Sequence, residues 1–270
     1  MNRTIGLHLQ FHTSITAVAR KALQLQLPSF QTIFVQEKKT RPLKLTKEDK
    51  KEFLSLRPKF HNLYAHASFL INFSAENSDH PVLLKELFLC QSLEFNHYVF
   101  HPGAWKDPAT KTVGLDRVAQ LINKMIKAFP SITFYIENTA NKKSLLGADI
   151  NDLIYLFERT DKPEQLKFCL DTAHAHLAGY SLEPHADDYI LDRFSLFKDN
   201  IQLIHLNDSN EERGSFKDIH ALPGYGKIGT KILKNLIDTK PIDGKTLIIE
   251  PSMSFEGSLH DILPNVWNNR

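Results

Sequence analysis

Eight short apolar runs alternate with longer amphipathic stretches along this chain, and that alternation limits its fold more than any other feature. The runs are TIGLHL (4–9), SFQTIFV (29–35), NLYAHA (62–67), HYVFH (97–101), TFYIE (133–137), KFCLD (167–171), IQLIHL (201–206) and TLIIE (246–250). They are rich in Ile, Val, Phe, Leu and Tyr, as strands buried on both faces require. Between them the pattern predicts helices over 14–27, 46–56, 80–95, 114–128, 149–160, 185–197, 229–238 and 258–268. Thr46-Lys-Glu-Asp49 and Ser78-Asp79 read as helix starts. Leu115, Val118, Leu121, Ile122, Met125 and Ile126 form a stripe that packs a helix on a sheet. Eight such units in 270 residues predict an α/β fold, a single-domain (β/α)8 TIM barrel spanning 1–270. A doubly wound open sheet is the alternative, and the absence of a Gly-x-Gly-x-x-Gly turn after the first run disfavours a dinucleotide fold.

The polar residues follow the same pattern. Six runs finish in His66, His101, Glu137, Asp171, His205 and Glu250. In a barrel these residues converge on the C-terminal mouth, where such folds keep their chemistry. His174, Asp218 and His220 follow on the adjoining segments. Imidazoles and carboxylates without cysteine suit zinc, manganese or iron held for catalysis. Nine candidate ligands exceed the roughly four to six that one ion takes, so two or three ions sharing a bridging carboxylate are expected. Clustered divalent ions can lower the pKa of a water and clamp a phosphate for in-line displacement.

Charge distribution points the same way. The chain carries a net charge of only +2, but Lys38 to Lys59 holds nine basic residues against three acidic ones. This excess is expected on the loop after the second strand, at the rim of the mouth, where it would steer a phosphodiester. At 42% hydrophobic and 24% charged residues the composition is that of a soluble globular protein. No apolar run approaches the roughly 20 residues of a membrane span. The start lacks the pattern of a signal peptide, and Cys90 and Cys169 have no motif spacing. A cytoplasmic protein with no membrane partner is expected.

Seven segments in order carry a family resemblance: HASFLIN (66–72), FHPGAW (100–105), YIENTA (135–140), LDTAHAHLAGY (170–180), HLNDS (205–209), KDIHALPGYGKIG (217–229) and IIEPS (248–252). They resemble the successive motifs of the endonuclease IV family of apurinic/apyrimidinic endonucleases. The resemblance covers about two thirds of the chain. It implies a TIM-like barrel with three zinc ions, manganese being a possible substitute, that cleaves duplex DNA 5′ to abasic sites and removes 3′ blocking groups. One zinc would be held by His66 and His101, with Glu137 bridging to a second that also takes Asp171, His205 and Glu250. The third would be held by His174, Asp218 and His220. A hydroxide oriented by Glu250 would attack phosphorus, with Glu137 and Glu250 as catalytic carboxylates and the third ion steadying the leaving 3′ oxygen. Phe69-Leu70 resembles the pair that wedges into the duplex, and Lys38, Lys39 and Arg41 are the expected DNA contacts. A monomer with no organic cofactor is expected.

The chain departs from the family in four places. Gln10-Phe11-His12-Thr13-Ser14 replaces a small Gly-containing loop, and Gln36-Glu37-Lys38-Lys39 replaces an Asn-Gln-Arg type of sequence. Phe69 stands for the usual tyrosine, and Tyr225 occupies a Gly-x-Gly turn where the family often has Glu. Asn138 and Asn207, each following a candidate ligand, are expected to hydrogen-bond to the ligands. His8, His12, His61, His80, His97, His185 and His260 read as structural or surface residues. His176 lies two residues past His174 and points elsewhere on a helical turn. Sugar isomerases and epimerases on related barrels remain the alternative, separated by the third group of ligands and the basic segment.

Overall fold

The structure, a computed structural model, describes residues 3–10, 14–36, 41–76, 81–105, 110–141 and 145–251. Eight parallel strands close into a barrel: β1 (Ile5–His8), β2 (Ser29–Ile33), β3 (Leu63–His66), β4 (His97–Phe100), β5 (Thr133–Glu137), β6 (Leu166–Asp171), β7 (Ile201–His205) and β8 (Thr246–Ile249). Each strand pairs with its sequence neighbours, and β1 closes the ring on β8 with Leu7 opposite Ile249. Helices α1 (Ile15–Gln24), α2 (Lys47–Leu56), α3 (Pro81–Leu93), α4 (Lys111–Ala128), α5 (Ile150–Glu158), α6 (Thr172–Leu177), α7 (Ile190–Arg193) and α8 (Thr230–Ile237) complete the units. Among the described residues, no helix is long and apolar enough to cross a membrane.

Most helices start where a side chain can satisfy their free N–H groups. Ser14, Thr46, Thr110 and Asp149 accept from Ala17, Asp49, Val113 and Asn151 at the starts of α1, α2, α4 and α5. The predicted stripe on α4 is buried in full. The expected helix over 185–197 shrinks to the four residues of α7 and a 3-10 turn over Ser195–Asn200. His185 and Ser195 have φ of 71° and 46°, which a right-handed helix cannot absorb. Ser78-Asp79 and the expected helix at 258–268 lie outside the described residues.

Strand alternation divides the core. Outward residues such as Phe134, Phe168, Leu170 and Ile204 pack under the helices. Inward residues Tyr64, Val99, Tyr135, Cys169, Leu203 and Ile248 form a separate cluster inside the barrel. Each of these six lies two positions before a candidate ligand, so the same period lifts that ligand into the mouth. Gly6 occupies this layer on β1, where a Cβ would meet Ser29 O at 2.5 Å.

The basic run does not stay on the rim. Residues 47–56 form α2, which returns along the outside of the barrel. Arg57 donates to Glu94 O, Phe60 O and His61 O at 3.0, 3.0 and 3.2 Å, just before β3 and therefore at the opposite end from the mouth. The expectation of one rim patch over 38–59 is corrected accordingly: a helix must carry the chain back before the next parallel strand begins.

Glu86 on α3 is an uncommon buried carboxyl. Its Oε2 accepts from Tyr98 Oη at 2.5 Å and Ser68 N at 3.4 Å, while Oε1 has no partner. Burial strips its charged form of water and pushes its pKa up to about 7, against a partial pull downwards from the Tyr98 hydrogen bond. The folded state therefore keeps a proton that the unfolded chain releases near pH 4.5. This contribution to stability is whole below that pH and is lost as the pH rises to about 7. Glu86→Gln should gain on the native chain by up to about 3 kcal/mol between pH 5 and 8. Denaturant midpoints of both chains across that range check it; parallel pH curves would refute it.

Candidate metal centre

Glu137, at the end of β5, is wholly buried at the middle of the mouth. Its Oε2 lies 3.1 Å from His66 Nε2 and 3.2 Å from His101 Nε2. Its Oε1 lies 3.1 Å from His205 Nδ1 and 3.2 Å from His174 Nδ1. One carboxylate thus faces imidazoles from four different segments. Ligands bound at about 2.0–2.1 Å to one tetrahedral ion sit about 3.3 Å apart, so the spacings to His66, His101 and His205 suit shared cations.

The other partners of these imidazoles decide which nitrogen is free. His66 Nδ1 donates to Ala67 O at 2.9 Å, which leaves the Nε2 lone pair towards Glu137. His174 Nδ1 donates to Asn138 O at 2.9 Å, leaving Nε2 towards Asp218 Oδ2 at 3.3 Å. Gln31 Nε2 must donate to Glu250 Oε1, at 2.8 Å, because a carboxylate only accepts. That places Gln31 Oε1 on His205 Nε2–H at 2.9 Å and aims the His205 Nδ1 lone pair at Glu137. A lone pair facing a carboxylate repels it unless a proton or a cation lies between.

The electrostatics have the same cause. Burial alone would raise the Glu137 pKa, but His205 and His101 hold its carboxyl well below the usual range. Glu250 is depressed in the same way, chiefly by His205 against the pull of burial. Burial lowers His174, yet Asp171 and Asp218 lift it well above the ordinary imidazole value. His205 is also raised well above that value, against its burial, with Cys169 and Glu137 the largest upward causes. Without a cation, the cluster must therefore fill its contacts with protons. Divalent ions would take the place of those protons.

Four groups of ligand atoms lie within 4.8 Å of one another: His66–His101–Glu137, Glu137–Asp171–His205–Glu250, Asp171–His174–His220 and Glu137–Cys169–His205. The first two coincide with the expected sets, with Glu137 common to both. In the third, Asp218 joins through its oxygens, 3.3 Å from His174 Nε2 and 3.0 Å from His220 Nε2. His220 Nε2 is buried and lacks a properly directed hydrogen-bond partner. An orphaned imidazole nitrogen beside two carboxylates fits a metal ligand, and the residues present fit divalent cations.

Hydrogen bonds stiffen this arrangement. Asp171 caps α6, its Oδ1 accepting from His174 N at 2.7 Å, so the strand end and the next ligand are locked together. Asn138 grips the Asp171 backbone from both sides, at 2.7 and 3.0 Å. Asn207 Nδ2 donates to Asp171 Oδ2 at 2.7 Å and to Glu250 Oε2 at 3.2 Å. Both asparagines thus act as the sequence predicts. His176 turns away from the cluster, with Nε2 3.3 Å from Glu211 O.

Phe69 and Leu70 are 65% and 44% exposed, and Phe69 lines a cavity of about 510 Å3 that reaches the cluster. They are not core residues. Lys38 and Lys39 lie outside the described residues, as does the side chain of Arg41.

Sequence reading passed over three residues here. His8 read as a structural or surface residue, and that reading is corrected: it lines the cavity, with Nδ1 3.0 Å from Gln31 Nε2 and 3.3 Å from Glu250 Oε1. Gln31 sits opposite His8 in the β1–β2 register, wholly buried. The two-residue alternation that placed the ligands inward would have found both. Asp208 is buried and accepts from Gly224, Gly226, Ile228 and Gly229 N–H groups. Its signal was the glycine spacing around Tyr225. Gln31→Leu should cut turnover by about 10–100-fold while leaving the fold intact, because His205 loses its orienting acceptor. Steady-state kinetics with a count of bound metal checks it; unchanged turnover would remove the positioning role.

A barrel whose mouth gathers five imidazoles and four carboxylates defines a metal-dependent enzyme class. The chain matches the model of the family described as xylose isomerase-like TIM barrel over residues 20–262. It is 30% identical over 267 residues to a probable endonuclease 4 from Finegoldia magna, covering 95% of this chain and 94% of that protein. The crystal structure of endonuclease IV from Thermus thermophilus matches with TM-score 0.77 and 27% identity, over 92% of each chain. A D-tagatose 3-epimerase-like protein, at 18% identity and TM-score 0.71 over 97% of this chain and 94% of its own, shares the fold alone. The chain belongs to the xylose isomerase-like TIM-barrel family and, within it, to the endonuclease IV line.

Proposed function

We propose that this protein is a zinc-dependent repair endonuclease that hydrolyses the phosphodiester 5′ to abasic sites in duplex DNA. Its family makes it a hydrolase of endonuclease type. The observation that carries the finer reading is the sharing of Glu137 between two ligand groups beside a third built on His174, Asp218 and His220. An isomerase that holds one or two ions on a sugar has no need of that third group.

His66, His101 and Glu137 would hold one ion, and Glu137, Asp171, His205 and Glu250 a second. His174, Asp218 and His220 would hold the third, with manganese able to stand in for zinc. When bound, such ions supply a water of lowered pKa and positive charge for the phosphate during in-line displacement. Glu250 has the groups around it to orient that water. Gln31 and Asn207 fix its two oxygens, and its depressed pKa keeps it an anion that can accept a hydrogen bond from the water. Glu137 keeps the paired imidazoles aimed inward.

Phe69 and Leu70 serve as the apolar wedge that occupies the gap left by a missing base. Lys38, Lys39 and Arg41 contact backbone phosphates. The same chemistry reaches phosphate-bearing 3′ blocking groups. The chain works inside the cell as a single-domain monomer over residues 1–270, without an organic cofactor.

The test is an assay on abasic duplex DNA beside a panel of ketoses, with metals counted on the same sample. Cleavage at the abasic site with no ketose turnover is expected. Ketose isomerisation without DNA cleavage would overturn the reading.

A further inference from the structure

A second groove, of about 940 Å3, opens beside the mouth. His8, Asp218, His220 and Glu250 wall both spaces, so the groove is continuous with the metal centre. Beyond that wall it is lined by Ile219, Leu222 and Tyr225, with the amides of Gln10 and Asn210. Tyr225 is 59% exposed and Ile219 47%. No lysine or arginine lines it among the described residues. The groove therefore suits an uncharged aromatic ligand better than another phosphate.

The backbone that carries Tyr225 is held in place. Asp208 Oδ2 accepts from Gly224 N at 3.0 Å and from Gly226 N at 3.1 Å, so the backbone is pinned on both sides of the tyrosine. The same carboxylate accepts from Ile228 N at 2.9 Å and Gly229 N at 3.1 Å. A Cβ at position 226 would meet Ser209 O at 2.4 Å, so the turn closes only around glycine. A buried carboxylate with this many donors anchors its loop firmly. A loop fixed before binding loses little backbone entropy when a ligand stacks on the ring it carries.

We infer that this groove is a nucleoside subsite, in which Tyr225 stacks on the base 5′ to the scissile phosphate. The inference rests on the proposed function: if the ion held by Asp218 and His220 steadies the leaving 3′ oxygen, the nucleoside carrying that oxygen falls in the groove these two residues wall. Ile219 and Leu222 give its sugar an apolar contact, while Phe69 serves the abasic side. Stacking on an aromatic ring accepts any base, so the subsite selects for the presence of a base and not for its identity.

The test compares abasic duplexes whose 5′ neighbour keeps or lacks its base, with products resolved by length. Tyr225→Ala should raise KM about 10-fold with kcat within about twofold, and Tyr225→Phe should behave as the native chain. Removing the 5′ base should cost the native enzyme the same factor and the Tyr225→Ala variant nothing more. Removing the 3′ neighbour's base should affect both enzymes equally. An unchanged KM in Tyr225→Ala, or a 5′-base effect that survives in it, overturns the subsite while cleavage itself stands. If the native enzyme cuts none of these duplexes, the proposed function fails and the subsite falls with it.

Discussion

Glu250→Gln is expected to bind abasic duplex DNA within about threefold of the native chain while its turnover falls by about 10³-fold. The magnitude is that of removing a positioned proton acceptor, about 10²–10⁴-fold, and 10³-fold corresponds to about 4 kcal/mol of transition-state stabilisation. Both Glu250 oxygens already accept, from Gln31 Nε2 and Asn207 Nδ2. An amide in its place must turn a donor towards one of those donors and loses the negative charge. The backbone is not at risk, because Glu250 N still donates to Asn207 Oδ1 at 3.0 Å and β8 remains paired on both sides. Circular dichroism, an anisotropy titration and single-turnover cleavage separate the effects. Cleavage within tenfold of native would remove the role assigned to Glu250.

Stripping the metals is expected to abolish cleavage and to lower the melting temperature by at least about 10 °C. Each site filled at 1,000 times its Kd adds about 4 kcal/mol, and one kcal/mol moves a domain of this size by about 2–4 °C. Brief EDTA should leave much of the activity, since Glu137, Asp171, His174 and His205 are buried; stronger or longer chelation should remove it, and zinc or manganese should restore it. Acid should act in the same direction. His66, His174, His205 and His220 all have raised pKa values, so protons compete with the ions as the pH falls. Mass spectrometry under native conditions or elemental analysis should give about three ions per active chain. One equivalent or fewer on a fully active chain would sink the three-ion reading.

Much of the fold was legible because buried parallel strands leave a plain record. The eight apolar runs match the eight barrel strands, and the two-residue period predicts that a ligand two positions past an inward Tyr135, Cys169 or Leu203 reaches the mouth. The helix over 185–197 failed because composition does not reveal positive φ at His185 and Ser195. The basic run was misplaced for a related reason: sequence adjacency of Lys44 and Arg57 hides that a helix carries the second to the far end of the barrel.

The sequence by itself determined the types of the candidate ligands, their order and their common direction, because local alternation and motif spacing encode all three. Only the tertiary structure decided which atoms meet. Gln31 lies 174 residues from His205 and 219 from Glu250, and closing the ring of strands brings them within 3 Å. The exposure of Phe69, the anchoring of Tyr225 by Asp208 and the aiming of each imidazole nitrogen arise in the same way. For His174 and His205 the aiming depends on hydrogen bonds to Asn138 and Gln31, 36 and 174 residues away, which form only once the barrel has closed.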